Sequence, residues 1–439
     1  MKILIIATWF PPDTAIAAVR PYMFAKKLSK LGHDVTVLRS GAILCPPDKS
    51  LTSLNNRFKV ISAIGKDSPA DRIEQGEEYI IPKRKLSFLP EAMREFVVIM
   101  SKGIMEPRYC FLCYRRYLAQ RKMVSLFSGK HFDIVFSTYG ELENVFAGQY
   151  AAKMLSCKLI QDFRDPLVLP RMRSRLWNFC MRPVEKRAVQ KADACITVAE
   201  AATRQMEQYG TGTRCVTIHN GYERSRYKKN DISVRRNQLL ICYTGSVYPD
   251  RREAAVRFFE SIKSMIEKEE IDRNNIRFVY AGGVGAIWKE ILKKMNLEEI
   301  YEDHGYLSRD ETERLQRESD IYLVLSWNCA ENQGVISGKF YEGIRAEKPI
   351  LSVISGALPN SELYQMNEKY HYGYCFEEVR GEEEVEKLKQ YLLNAYNQKM
   401  ETGKVDYQQN PALEEDFCYE NLAKKLENLC YELIGEKQK

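Results

Sequence analysis

The stretch IYLVLSWNCAENQGVISGKFYEGIRAEKPILSV, residues 321–353, decides the fold. Ile321 to Leu325 is a short, β-branched apolar run of the kind that forms a buried strand. A polar loop, Asn328 to Gly338, follows; a helical pattern runs from Lys339 to Ala346, and Pro349 to Val353 reads as a second strand. Strand, loop, helix and strand make one βαβ unit, with its loop at the carboxyl end of the first strand. Open parallel sheets bind ligands at that edge, and a helix N-terminus there offers N–H groups to an anion. Lys339 falls in the first helical turn, where a cation opposes the helix dipole and wants an anion beside it. Glu342, three residues on and on the same face, can accept from a pair of ribose hydroxyls. Spacing alone fits a solvated Lys339–Glu342 surface pair equally well.

Composition bounds the rest. The chain has 439 residues, 45% hydrophobic and 28% charged, enough for two or three domains of ordinary globular character. A net charge of +7 and a pI near 8.6 suit anionic partners such as nucleoside diphosphates or a membrane surface. The twelve cysteines are scattered, several inside apolar strand patterns, which reads as reduced cytosolic usage and not a disulfide framework. Cys110-Phe-Leu-Cys113 is a lone CxxC, and a structural zinc site needs two more ligands. No run approaches the roughly 18 apolar residues of a membrane span. Met1 to Phe10 ends in Pro-Pro-Asp and reads as a first strand, not a signal peptide.

With the composition set, the segment Ser337 to Leu351 (SGKFYEGIRAEKPIL) resembles the nucleotide-sugar signature of family-4 glycosyltransferases. That resemblance implies the GT-B fold: α/β, two facing Rossmann-like domains, with a C-terminal helix crossing back to the first. The family motif has two glutamates separated by seven residues. Glu342 matches the second, while Gly334 stands where the first would be. Other segments resemble the same family in order. Lys2 to Ala7 is a strand, Trp9 to Thr14 a Pro-Pro loop, Ala15 to Leu31 a helix and Asp34 to Leu38 a strand. Small residues (Ala15, Ala17, Ala18) replace the family's glycine pair; Asp13, Thr14 and Ala15 of the loop, and Arg20 on the helix, are candidate acceptor-side residues. Tight helix–sheet packing explains the small residues as well. Phe132 to Ser137, Lys158 to Asp162, Ala192 to Val198 and Cys215 to His219 are strands; Glu141 to Met154 and Ala199 to Gly210 are helices. Asp162-Phe-Arg164-Asp165-Pro resembles the DFRDPW run of a surface-polysaccharide branch, with Leu167 where Trp is usual, and its two acids and Arg164 are placed for acceptor binding or for positioning the sugar. A local Arg–Asp pair shaping the loop is the alternative. Asn220-Gly-Tyr-Glu223 resembles the close of the family's first domain.

Domains are expected at 1–222 with a returning helix at 412–439, a charged linker at 223–237, and 238–411. In the second, Gly245, Ser246 and then Arg251 or Arg252 resemble the loop that meets the diphosphate. Tyr306 and Leu307, just before the capping box Ser308-Arg-Asp-Glu311, would meet the base. The loop Gly334, Val335, Ile336 and Ser337 would add N–H groups, with Lys339 and Glu342 completing the donor site. Glu382 to Asn397 and Leu413 to Ile434 read as terminal helices.

Absences sharpen the picture. The third glycine of a dinucleotide GxGxxG after Gly283 would fall on Trp288, and no Walker A or GxSxG motif is present. No DxD occurs, and the five histidines show no metal spacing. The expectation is a retaining, metal-independent hexosyl-type glycosyltransferase without cofactor. Its donor is a UDP-, GDP- or dTDP-linked sugar, its acceptor a glycan or lipid-linked glycan in cell-envelope polysaccharide synthesis. Asp162, Asp165 and Glu141 are candidate catalytic acids or bases. Residues 83–122, with ten Lys/Arg against three acids and interleaved aromatics, can lie on an anionic membrane from the cytoplasmic side. The same segment also reads as a helix pair with a solvated basic face. No nucleic-acid partner is expected. A same-fold sugar-nucleotide epimerase and a non-catalytic GT-B-like partner protein remain as alternatives.

Overall fold

The computed structural model describes residues 1–13, 16–43, 57–64, 68–75, 91–225, 235–247, 249–283 and 285–435, with the side chains of 91–107 excepted. Thr14, Ala15, residues 83–90 and most of the stretch 223–237 therefore lie outside the description. Two compact units form, Met1–His219 with Tyr419–Lys439, and Asn220–Cys418.

The first unit runs β1 Lys2–Ala7, α1 Ile16–Lys30, β2 Asp34–Arg39, β3 Lys59–Ser62, α2 Pro69–Glu74, α3 Glu91–Ser125, β4 Ile134–Thr138 and α4 Leu142–Leu155. It continues with β5 Lys158–Phe163, α5 Arg175–Gln190, β6 Ala194–Thr197, α6 Glu200–Glu207 and β7 Arg214–Thr217. Its strands are all parallel, in the order β3-β2-β1-β4-β5-β6-β7. Both faces of the sheet are covered, which is why β1, β4 and β5 are buried almost throughout their length. Alternation along β1 splits the core: Ile3 and Ile5 join Phe24 and Leu28 of α1, while Leu4 and Ile6 join Val145 of α4.

The second unit comprises β8 Leu239–Thr244, α7 Arg252–Glu267, β9 Ile276–Ala281, α8 Ala286–Met295, β10 Tyr301–Asp303, α9 Arg309–Glu318, β11 Ile321–Trp327 and α10 Gly338–Ala346. After these come β12 Ile350–Ser355, α11 Glu362–Tyr370, β13 Gly373–Glu377, α12 Glu382–Thr402 and α13 Pro411–Phe417. The parallel order β10-β9-β8-β11-β12-β13 reverses direction between β8 and β11. That reversal is the topological switch point where such sheets bind ligands.

Two expectations about helices are corrected. Leu413 to Ile434 is not one helix: Cys418 is extended at φ −75°, ψ 134°, pairs as an isolated bridge with Tyr222, and ends α13. The chain then restarts as α14, Tyr419–Ile434, which belongs to the first unit. There Leu422 and Leu426 are buried beside α1, Tyr419 packs edge-on to Phe24 at 5.9 Å, and His33 meets Glu427 at 2.6 Å. Residues 91–125 form a single 35-residue helix, α3, and not a helix pair.

Candidate functional site

At the switch point of the second unit, β8 ends in Thr244, and Gly245 follows it. Gly245 has φ +85°, a conformation that suits glycine, and a Cβ placed on it would lie 3.2 Å from Nζ of Lys339. Lys339 therefore projects from the first turn of α10 across the end of β8. It is only 8% exposed, and its ammonium lies 5.1 Å from the Tyr243 ring centroid. No described carboxylate forms an ion pair with it, so the surface-pair reading of Lys339 and Glu342 fails. Burial pushes the Lys339 ammonium down to about 8; Glu342 opposes that drop and neighbouring Arg251 adds to it.

The structure separates the two candidate arginines. Arg251 is buried, lies over the Trp327 ring at 5.9 Å and stands near the Tyr243 hydroxyl. Arg252 points the other way, into a two-pronged pair with Glu290 at 2.8 and 3.0 Å. Ser246 supplies its carbonyl to the Tyr243 hydroxyl at 3.2 Å. Two buried cations thus repel each other beside a glycine loop and a helix start, an arrangement that an anion relieves.

Glu342 is held by a network that spacing could not reveal. Its Oε2 accepts from Tyr322 at 2.9 Å, Gln316 at 3.0 Å and Thr244 at 3.2 Å. Arg345 fixes Gln316 in turn at 2.9 Å. Three donors on one oxygen orient the carboxylate without using the other.

Gly334, at the family motif's first glutamate position, has φ +71°, and its carbonyl accepts from Ile336 at 3.1 Å. A glutamate there would be strained in the left-handed region. The carbonyl of Val335 is taken by Ser326 at 2.9 Å. Ser337 is the N-cap of α10, but its side chain caps nothing and its buried hydroxyl has no hydrogen-bond partner. The helix start is therefore not closed off by its own cap. Along the same sheet edge, Gly282 donates to the Gly305 carbonyl at 2.7 Å, and Tyr306 stands 78% exposed beside Leu307. The predicted Ser308–Glu311 capping box is present.

In the first unit the candidate residues take different roles. Asp162 is fully buried at the end of β5, with both oxygens bonded to Arg20 at 2.9–3.2 Å and one also to Thr138 at 2.8 Å. Arg20 adds a bond to the His219 carbonyl at 2.8 Å. This pair joins α1 to the sheet, and Asp162 has no oxygen left without a protein donor. Asp165 and Arg164 pair with each other at 2.8 Å, the loop-shaping alternative. Asp13 is buried after β1, its N–H on the Phe10 carbonyl at 3.3 Å. Glu141 is half-buried before α4, its carboxyl raised first by burial and held back by the Tyr109 hydroxyl.

Two groups escaped the sequence reading. Arg39, at the end of β2, reaches Asp71, Glu74 and the Pro11 carbonyl and so props the loop after β1. Glu185 accepts from the Leu167 and Val168 N–H groups and from Tyr209, and so holds the loop that follows Asp165. Arg39 is a charged residue closing an apolar strand pattern, which is the one signal the sequence carried for it; Glu185 sits in the charged run Glu185-Lys-Arg and had none.

Residues 17–226 match the family described as Glycosyltransferase Family 4. No curated protein matches the chain. Among solved structures, a sucrose-phosphate synthase from Thermosynechococcus elongatus is similar at TM-score 0.63 and 11% identity, over 99% of both chains. Anabaena HepE in complex with UDP and glucose is similar at TM-score 0.60 and 12% identity, over 98% of this chain and 100% of that one. A putative UDP-N-acetylglucosamine 2-epimerase from Listeria monocytogenes is similar at TM-score 0.55 and 13% identity, over 100% and 98%. The two parallel α/β sheets are those of the GT-B fold.

Proposed function

We propose that the protein is a glycosyltransferase that moves a sugar from a nucleotide-sugar donor to an acceptor, with the donor's diphosphate held at the switch point of the second unit. The observation that carries this is Lys339: a buried cation over Gly245, beside Arg251 and the start of α10, with no described carboxylate to pair with. Bond breaking at the anomeric carbon leaves negative charge on the departing diphosphate. Lys339 and Arg251 meet that charge, already placed and desolvated, so these groups can do the neutralisation a divalent ion does elsewhere. Glu342 takes the ribose hydroxyls, and Tyr306 offers a ring beside the base. The family-4 match over residues 17–226 and the UDP and glucose of HepE support the donor class. Retention at the anomeric carbon and a cell-envelope polysaccharide setting rest on the motif resemblance.

The test is a thermal-shift titration of the full chain with UDP, GDP and dTDP. One of them is expected to raise Tm with saturation, since a ligand bound only by the folded state stabilises it. No shift with any of the three would remove the reading. The pH dependence gives a second check. Lys339 titrates near 8 when folded, against 10.5 as its ordinary value, so between those limits the unfolded chain binds more protons. Stability of the free protein therefore rises with pH across that window while nucleotide affinity falls. The epimerase neighbour keeps a second reading alive. Product analysis separates the two: a transferase releases nucleoside diphosphate only with acceptor present, whereas an epimerase converts the sugar nucleotide alone.

The acceptor is proposed to be lipid-linked, reached from an anionic membrane face. No described helix is long and apolar enough to cross a membrane. The first unit exposes Phe111 and Tyr114 on α3, with Leu176 and Phe179 on α5, the last two 70% and 79% exposed. Arg175, Arg182 and Lys186 flank the α5 pair. Each basic residue near an anionic surface contributes about 1 kcal/mol. Leu176→Asp/Phe179→Asp is expected to lower co-sedimentation with phosphatidylglycerol vesicles several-fold. Unchanged sedimentation would discard this face.

A further inference from the structure

Cys113 projects from α3 toward the start of α4, where Glu141 and Glu143 lie. One ligand atom from each of the three residues falls within 4.8 Å of the other two. Cys113 is 3% exposed and Glu143 fully buried. Oε1 of Glu143 is occupied, accepting from Thr8 at 2.7 Å with Arg116 at 3.6 Å. Its Oε2 is buried with no hydrogen-bond partner, and so is Oε2 of Glu141. The Cys113 thiol, a weak donor, stands beside Glu143 on this side. Two carboxylates and a sulfur therefore converge; the Tyr109 hydroxyl stands beside Glu141 and Arg116 beside Oε1 of Glu143, but the inward Oε2 of each glutamate is left open, a set that a cation would complete.

We propose that Cys113, Glu141 and Glu143 bind a divalent cation of the zinc type that fastens α3 to α4. Zn²⁺ accepts cysteine sulfur and carboxylate oxygen together, while the sulfur ligand disfavours Mg²⁺ and Ca²⁺, which take oxygen. Binding deprotonates the thiol and releases its proton to solvent, leaving thiolate and two carboxylates around the ion. Glu141, the half-buried member, is the route of entry. The lone CxxC spacing does not predict this site, because Cys110 is exposed and takes no part. The site is independent of the donor site in the second unit.

The experiment is a Co²⁺ titration of the chelator-stripped full chain, read as the thiolate-to-cobalt charge-transfer band in the near ultraviolet. A stoichiometric band is expected, displaced by Zn²⁺ and lost in Cys113→Ser, but kept in Cys110→Ser. Glu143→Gln and Glu141→Gln should each weaken Co²⁺ affinity at least tenfold, and the second changes a half-exposed position the fold tolerates. Zn²⁺ should raise Tm of the wild type and leave Cys113→Ser unmoved. No band in the wild type overturns the proposal. A band that survives Cys113→Ser overturns it too, since the ion then sits elsewhere.

Discussion

Lys339→Ala is expected to lower kcat about a hundred- to a thousandfold, the loss typical when one preorganised group facing developing negative charge is removed. Its position makes the prediction specific. The ammonium is 8% exposed, packed over Gly245 and Tyr243, and held without a described ion-pair partner. Keeping it charged in the free protein costs about 3 kcal/mol, by the displacement of its titration from 10.5 to about 8. The alanine variant should therefore be no less stable than the wild type, and more stable below pH 8, while losing nucleotide binding. Steady-state kinetics together with a melting curve check both halves. A variant with full activity, or one lost to misfolding, contradicts the assignment of this lysine to the donor site. Glu342→Ala is expected to lose about ten- to a hundredfold through the ribose contact. It should also destabilise, because Tyr322, Thr244 and Gln316 all lose their acceptor.

The second large effect is on stability. Asp162→Ala leaves Arg20, 1% exposed, as a buried charge with one carbonyl for company. Removing one partner of such a pair costs about 3–5 kcal/mol. Denaturant unfolding of the full chain should show the midpoint fall accordingly. The double variant Arg20→Met/Asp162→Leu should recover most of the loss, since neither charge remains to be desolvated. A single variant within about 1 kcal/mol of wild type would return Asp162 to the list of reactive carboxylates.

The parts of the proposed donor site were legible one by one, because strand ends and helix starts mark themselves locally in the sequence. Gly245, Ser337, Lys339 and Glu342 sit where strand ends and a helix start must be, and apolar periodicity locates those ends. The motif's missing glutamate also has a local explanation, in the +71° φ of Gly334. What the reading could not choose was orientation. Arg251 and Arg252 are adjacent and chemically alike, and only the packing of Glu290 on α8 and Trp327 on β11 sends one outward and one inward. The candidate acids show the same limit: only the folded chain sets Arg20, 142 residues away, against Asp162.

Assembly into two doubly wound sheets came from the family resemblance, while the amino-acid order by itself located most strands and helices, the loops at the strand ends, and a helix that opens with a lysine. Those features follow from periodicity and backbone chemistry within a few residues. Tertiary structure alone decided the long-range matters: the extended Cys418 between α13 and α14, the three donors on Glu342, and Cys113 beside Glu141 and Glu143. Each joins side chains distant in the chain, and such a meeting depends on how helices settle on a sheet, which no local pattern encodes.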